Sequence, residues 1–401
     1  MKARCVRLDG PVPDPAAADT RFESPRRALL GWGCARVIEL PAPWPDHVGR
    51  VAEVLASIDT DDEVGAAATG PVAFGALPFD REAAATLVVP AVIVGTTPDG
   101  ARWVTTIDDA TLADDATPPV HASGARVGPT RLTMALDQSP EAWCDSVAEA
   151  TRRIAGGEVT KVVLARRQRL TADQPFDPGA IASRLSAAHP HSLRWLIDGF
   201  CGASPELLVS RFDDIVRAQP MAGTTPRTGD PATDQHRAAE LLASQKNRDE
   251  HQITIDMVHD TLLGWCSYLD AEPEPQVVAA GSVQHLATMV EGRLSHPAPS
   301  VLELVAALHP TPAVGGWPRD AALRIIAELE PVGRGRYAGP VGWVDRWGNG
   351  AFAVAIRSVS VDGDTAELWA GVGVVSDSDP VAELEETRAK FAATIGHVAR
   401  L

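Results

Sequence analysis

Short apolar runs alternate with turn-forming residues through the N-terminal third of the chain. Residues 87–94 read LVVPAVIV, and the sequence GTTPDG follows them directly at 95–100. Apolar runs bounded by clusters of Pro, Gly, Ala and Asp are typical of β-strands joined by turns. The pattern therefore predicts a β-rich N-terminal part, approximately residues 1–138.

The pattern changes at Ser139, where Ser-Pro-Glu is typical of a helix start. Apolar residues then recur at helical spacing through Val147, Ala150 and Ile154. Further strands are predicted at residues 159–164, 207–209, 337–344, 352–359 and 365–375. Helices fall irregularly between them, which argues against a barrel or a doubly wound parallel sheet. We expect one α+β domain over residues 1–401, with its core at approximately 139–401.

Composition and charge narrow the classes of partner. The chain has 401 residues, 45% of them apolar, and its 53 acidic and 36 basic side chains give a net charge of −17. This charge argues against nucleic acid or an anionic membrane as a partner, since both carry the same sign. An anionic small molecule would need cations gathered locally.

Two further observations concern the compartment. The clearest apolar stretch, residues 87–94, is interrupted by Pro90 and is far shorter than the ~20 residues that a membrane helix needs. The N-terminus lacks the apolar segment of a secretory signal, and the five cysteines contain no CxxC pair. We therefore expect a cytoplasmic protein without a membrane helix, a disulfide framework or a zinc site.

Two predicted helices carry carboxylates on or beside their apolar faces. In the helix at residues 244–258, Glu250 falls on the arc of Thr254 and Met257, so its carboxylate points towards the core. Burial requires a partner for this charge, and a structural ion pair would satisfy it as well as a functional one.

The C-terminal helix, which begins near Ser378, repeats this arrangement. Glu383, Glu386 and Lys390 fall within one arc of about 60° beside the apolar face. Taken alone, they predict a solvated ion pair. Two helices that each present a core-side carboxylate are, however, typical of a site for an oxygen-seeking cation such as Mg²⁺.

Two isolated charges lie in apolar surroundings. Lys161 shares one face of a predicted strand with Val163. It is either a charged edge-strand residue that prevents pairing with another β-strand or a functional amine. Burial would favour the neutral amine that a general base requires. Glu206 is either a surface acid at a strand entry or a general acid.

Taken together, nine segments resemble the chorismate-utilising enzymes, and most closely the isochorismate synthases. They occur in the order found in that family, over about 230 residues. The segments are residues 160–166, 204–208, 220–227, 244–251, 285–286, 308–313, 337–339, 355–358 and 371–390. The resemblance implies one α+β domain with two large antiparallel β-sheets and peripheral helices.

The same resemblance implies a role for each matched residue. Lys161 would activate water for attack at C2 of chorismate, and Glu206 would protonate the departing C4 hydroxyl. Glu250 and Glu386 would bind Mg²⁺, with Glu383 acting through water. The substrate would contact Gly223, Thr224, His285, Tyr337, Arg357, Gly371, Gly373 and Lys390.

Lysine at 161 distinguishes members within the family. Relatives that use ammonia commonly have another residue there and recruit a glutamine-hydrolysing partner, so no glutamine amidotransferase partner is expected here. Salicylate synthases also carry the lysine and remain the alternative activity. Whether the product feeds menaquinone or siderophore synthesis stays open.

Three residues depart from the family pattern. Asn247 stands where an Asp is frequent and is expected to weaken Mg²⁺ binding, and Val372 is expected to crowd the amides that bind carboxylate. Ala351 replaces a Glu that is common in the family, and no effect of this change follows from the sequence. Asn247 and Val372 favour a second hypothesis, a homologue that binds chorismate or a related anion without turnover.

Overall fold

The computed structural model describes residues 1–108, 110, 129–281 and 283–399. Its α-helices are α1 (Gly49–Ala56), α2 (Pro140–Ala155), α3 (Pro178–Ala188), α4 (Pro231–Ala243), α5 (Gln245–Leu263), α6 (Val301–Leu308), α7 (Arg319–Leu329) and α8 (Pro380–Val398). Two short 3₁₀ helices span Pro15–Ala17 and Trp44–His47.

The strands form two large sheets and one small sheet. In chain order they are β1 (Lys2–Arg7), β2 (Thr20–Ser24), β3 (Arg27–Trp32), β4 (Arg36–Leu40), β5 (Asp59–Asp62), β6 (Val72–Ala76), β7 (Ala85–Val89), β8 (Val92–Thr96), β9 (Arg102–Ile107), β10 (Leu132–Leu136), β11 (Lys161–Ala172), β12 (Leu193–Ile197), β13 (Phe200–Ser204), β14 (Leu207–Phe212), β15 (Ile215–Gln219), β16 (Met221–Pro226), β17 (Cys266–Ala271), β18 (Gln276–Ala280), β19 (Val283–Ala287), β20 (Val290–Leu294), β21 (Gly316–Trp317), β22 (Pro340–Asp345), β23 (Gly350–Val354), β24 (Ser358–Asp362) and β25 (Thr365–Val374).

The first large sheet has the order β10-β11-β25-β24-β13-β12-β2-β3-β8-β9-β1-β5, and β21 pairs with the first residues of β11 on the same edge as β10. The second has the order β17-β20-β15-β14-β23-β22-β6-β7-β4, and the small sheet has the order β16-β19-β18. Apart from the parallel pair β1–β5, the pairings among the described strands are antiparallel. The α+β prediction with two large antiparallel sheets is confirmed, and the third sheet is an addition to it.

The apolar core joins the two large sheets. Phe22 of β2 and Phe74 of β6 belong to one buried cluster although their strands lie in different sheets. Strands from both parts of the chain also pair directly, since β2 lies beside β12 and β6 beside β22. The N-terminal strands are therefore integral to both sheets.

The helix starts that carry the candidate residues follow local rules. Ser139, Ser244 and Asp379 each accept a hydrogen bond from a backbone amide in the first turn of α2, α5 and α8. Pro140 occupies the first position of α2, where its missing amide hydrogen costs nothing. The predicted helices at 139, 244 and 378 are confirmed within one or two residues.

One predicted strand is wrong. The sequence favours a continuous strand over 352–359, but the chain leaves the second large sheet after Val354 and enters the first at Ser358. Arg357 lies at the crossing with a φ of 55°, a left-handed conformation that a strand cannot contain. This bend places Arg357 between the sheets instead of within one.

In the part of the chain that the structure describes, no helix is long and apolar enough to cross a membrane.

Candidate active site

Lys161 is the first residue of β11, the long strand that pairs with β25. Only 2% of its surface is exposed, so it does not guard a solvated sheet edge. Alternation along the strand places Lys161 and Val163 on the same face, and both line one cavity. Of the two interpretations of this lysine, burial favours the functional amine.

The Lys161 amine is paired with Glu250 of α5. Its Nζ donates a hydrogen bond of 2.7 Å to Glu250 Oε1. Burial alone would raise the pKa of the Glu250 carboxyl, but the charge and hydrogen bond of Lys161 lower it below its usual value. The backbone amide of Gly223 also stabilises the carboxylate. Glu250 is therefore ionised and points inward, as its helix position predicted.

Glu206 follows β13 and precedes β14, at the turn between the two large sheets. It is 3% exposed, so of the two alternatives for Glu206 the surface acid is wrong. Burial raises the pKa of its carboxyl to about 8, while the nearby charge of Lys161 counteracts the shift in part. At neutral pH Glu206 is mostly protonated and able to donate a proton.

The C-terminal helix brings a second ion pair to the cavity. Lys390 Nζ lies 2.6 Å from Glu386 Oε1 and donates a hydrogen bond of 2.7 Å to the Gly371 carbonyl. Burial lowers the pKa of Lys390, and the charge of Glu386 opposes that shift. The sequence alone predicts a solvated ion pair here, whereas in the structure the cation of the pair, Lys390, is buried. Glu383, one turn earlier, is partly buried and is not among the cavity-lining residues.

Three further polar side chains, Thr224, His285 and Tyr337, line the same cavity. Thr224 Oγ1 lies 3.1 Å from His285 Nδ1, while His285 Nε2 is buried without a hydrogen-bond partner in the described structure. Burial lowers the pKa of His285 to about 3, so the ring is neutral. Tyr337 stacks on Trp369 with ring centroids 5.6 Å apart. The free ring nitrogen is available to a ligand.

One cavity unites most of the residues predicted from the sequence. It is lined by Lys161, Glu206, Gly223, Thr224, Glu250, His285, Tyr337, Arg357, Gly371, Gly373, Glu386 and Lys390. These residues come from the first large sheet, the small sheet, the helices α5 and α8, and the connecting segments that hold Glu206, Tyr337 and Arg357. Glu383 is the exception among the predicted site residues.

The cavity also has apolar walls that the sequence analysis did not assign to the site. They are Val163, Pro205, Met221, Ala222, Ala313, Val314 and Ile356. All but Val314 lie inside the segments that carry the family resemblance, so proximity to the matched residues was the available signal. Their apolar character alone is indistinguishable from that of core residues.

The donor chemistry of the site fits a hard divalent cation. Glu250 and Glu386 offer carboxylate oxygens, and burial together with the charge of Glu386 raises the pKa of Glu383. Among the described residues, no three His, Cys, Asp or Glu side chains are grouped closely enough to hold a metal ion. Mg²⁺ keeps several waters and needs only one or two carboxylates beside its substrate. The residues therefore fit Mg²⁺ held by two carboxylates.

The structure also locates the three departures from the family pattern. Val372 is 1% exposed and packs in the core with Leu164, so the expected crowding of the cavity is wrong. Strand alternation explains this, because Gly371 and Gly373 face the cavity while Val372 faces away. Asn247 donates to Ser244 Oγ at 2.9 Å, and Ala351 lies outside the cavity lining.

Comparisons with known proteins agree with this geometry. Residues 20–398 match the family described as chorismate binding enzyme. Isochorismate synthase DhbC of Bacillus subtilis (strain 168) is 35% identical over 383 residues, covering 92% of this chain and 90% of that protein. Isochorismate synthase MenF of the same strain is 34% identical over 370 residues, covering 85% of this chain and 78% of that protein.

A solved structure agrees over nearly the whole chain. It is that of MenF, described as the menaquinone-specific isochorismate synthase from Escherichia coli, with a TM-score of 0.81 and 25% identity. The match covers 99% of this chain and 94% of that one. The resemblance found in the sequence is confirmed, and the chain belongs to the family of chorismate binding enzymes.

Proposed function

We propose that this protein is a Mg²⁺-dependent isochorismate synthase, an isomerase that converts chorismate to isochorismate. The observation that carries the proposal is that Lys161 and Glu206 line one cavity. Glu206 is protonated at neutral pH because burial raises its pKa to about 8, whereas Lys161 offers an amine. Titratable groups with such different environments suit a paired acid and base.

The reaction exchanges one hydroxyl position for another. Lys161 takes a proton from water as the water oxygen bonds to C2 of the ring. The ring double bond shifts, the C4–O bond breaks, and Glu206 supplies the proton with which the C4 hydroxyl leaves as water. One water enters and one leaves, so the product is an isomer of the substrate.

The substrate carboxylates are assigned to the cationic side of the cavity. Arg357 and Lys390 supply positive charge there, and Tyr337, Thr224 and the backbone at Gly223, Gly371 and Gly373 supply hydrogen-bonding groups. His285 would line the ring pocket through its unpaired Nε2. In a chain of net charge −17, such a local concentration of cations is what allows a dianion to bind.

Glu250 and Glu386 are the residues that would hold Mg²⁺, with Glu383 contributing through water. The ion would supply positive charge to a carboxylate of the substrate. The protein residues would orient that carboxylate so that C2 faces Lys161 and the C4 hydroxyl faces Glu206.

Lysine at 161 favours water over ammonia as the nucleophile, so the proposal includes no glutamine amidotransferase partner. We also propose that the enzyme acts in the cytoplasm, since all five cysteines are unpaired as in a reducing compartment. Residues 1–138 and 139–401 are proposed to form one domain, because their strands share both large sheets.

A product assay tests the proposal directly. Purified protein would be incubated with chorismate and Mg²⁺, and the products separated by chromatography, with a reaction lacking protein as the control. We expect isochorismate as the product. Salicylate as the main product would establish the alternative activity, and binding of chorismate without turnover would show a degenerate homologue.

A further inference from the structure

The edge of β11 next to Lys161 lacks a complete strand partner. β21 pairs with Lys161 and Val162, and β10 pairs with β11 only from Gln168 onward. In the described part of the chain, residues 163–167 have no strand on this edge. Buried backbone groups without a partner are costly, so other groups must satisfy them.

A buried ion pair fills this gap. Arg334 Nη2 donates to the Val163 carbonyl at 2.7 Å, and the Ala165 amide donates to Glu330 Oε1 at 2.8 Å. Residues 163 and 165 point their polar groups to the same edge because antiparallel strands alternate with a period of two. The pair thus acts in place of the missing strand.

The two side chains are joined to each other and shielded from water. Arg334 Nε lies 2.9 Å from Glu330 Oε2, and its Nη2 lies 2.5 Å from Oε1. The side chains are 1% and 4% exposed, and the guanidinium lies over the Phe79 ring at 4.2 Å. A bidentate pair of this kind is geometrically specific.

The same arginine reaches two other parts of the cavity wall. Its Nη1 donates to the Val314 carbonyl at 2.8 Å, and its own carbonyl accepts from the Tyr337 amide at 3.0 Å. Val314 and Tyr337 both line the cavity. Arg334 therefore connects the strand of Lys161 to the loop of Val314 and the segment of Tyr337.

We propose that Glu330 and Arg334 are a positioning pair for the reaction, which sets the place of Lys161 relative to the cavity walls at Val314 and Tyr337. Neither side chain lines the cavity, so the pair acts through the backbone it holds. This inference rests on the proposed function. Because a general base must lie within hydrogen-bond reach of its proton, the proton transfer is more sensitive to such a shift than substrate binding is.

The test is the double variant Glu330→Gln/Arg334→Met, which removes the ion pair without leaving a buried charge unpaired. We expect kcat with chorismate to fall at least about tenfold, with KM changed less than about threefold, at a temperature where circular dichroism shows full folding. Glu330→Asp keeps the charge but shortens the reach, so it provides a folded variant with the same expected direction.

A matched control is the ion pair of Glu23 and Arg194, which joins β2 to β12 and contributes nothing to the cavity lining. Glu23→Gln/Arg194→Met should lose stability but keep kcat and KM within about twofold. If Glu330→Asp and any folded double variant keep the wild-type kcat, the pair is structural only and the inference is overturned. A wild-type protein without isochorismate formation would instead overturn the proposed function.

Discussion

The Lys161 amine and the Glu250 carboxylate form one ion pair, 2.7 Å between Nζ and Oε1, although they lie 89 residues apart in the chain. Lys161 Nζ is the donor of this hydrogen bond, and Glu250 is one of the two carboxylates assigned to Mg²⁺. The proposed base and the proposed metal ligand are thus electrostatically linked.

Replacing Lys161 with Ala should abolish isochorismate formation. A general base contributes about 10²- to 10⁴-fold, so kcat should fall by at least about 10²-fold while the protein stays folded. Lys2→Ala, which changes an exposed lysine outside the cavity lining, should leave kcat unchanged. A chromatographic assay that finds Lys161→Ala within about threefold of wild type would remove Lys161 from this role.

The raised pKa of Glu206 predicts that activity falls at alkaline pH. Its protonated form is the proton donor, so kcat should decline as pH rises through about 8. Glu206→Gln should be nearly inactive at every pH. The measurement is a kcat profile from pH 6 to 10; a rate that stays constant across pH 8 would contradict the assignment.

The same carboxyl predicts a pH dependence of stability. The pKa of Glu206 in the folded state, about 8, lies above the usual 4.5. The contribution of this carboxyl to the free energy of unfolding is therefore fully present below about pH 4.5 and is lost as pH rises through about 8. Relative to wild type, Glu206→Gln should gain stability between pH 5 and 9, on the order of 1.4 kcal/mol per unit of pKa shift before relaxation. Urea unfolding of both proteins at pH 5 and at pH 9 measures this difference. If the free energy of unfolding changes equally with pH in the wild type and in the variant, the prediction is refuted.

Gly373 leaves room for the paired amine. A Cβ at this position would lie 2.9 Å from Lys161 Cε and 3.4 Å from Glu250 Oε1. Gly373→Ala should therefore displace Lys161 and lower kcat by roughly tenfold or more, with little change in melting temperature since the lysine side chain can move. Gly396→Ala in α8, where a Cβ meets open space, is the control and should retain full activity.

Metal dependence can be assigned to individual acids. Removal of divalent ions by a chelator should abolish turnover, and added Mg²⁺ should restore it. Glu250→Gln and Glu386→Gln should each weaken Mg²⁺ binding in titration calorimetry by about tenfold or more. Glu385→Gln, which alters an exposed neighbour of Glu386 paired with Arg388, should bind Mg²⁺ normally. Equal weakening by all three changes would indicate only a loss of general negative charge.

The structure also shows why some residues escaped sequence reasoning. Glu330 and Arg334 are an acid and a base four residues apart, a spacing that usually marks a solvated pair on a helix surface. Both lie beyond the last residue of α7, Leu329, and only tertiary packing next to β11 and Phe79 makes them buried. Arg357 was placed in a continuous strand because its neighbours are apolar and β-prone, whereas the change of sheet after Val354 occurs there.

The sequence by itself determined the chemical groups and their local faces. It identified the helix caps, the alternation that puts Lys161 beside Val163, and the carboxylates of Glu250 and Glu386. These depend on periods of two and 3.6 residues, which are local properties of the chain. The tertiary structure decided that the groups share one cavity and which of them form ion pairs. Those outcomes depend on strand pairings and helix packing between distant segments, which no local spacing specifies.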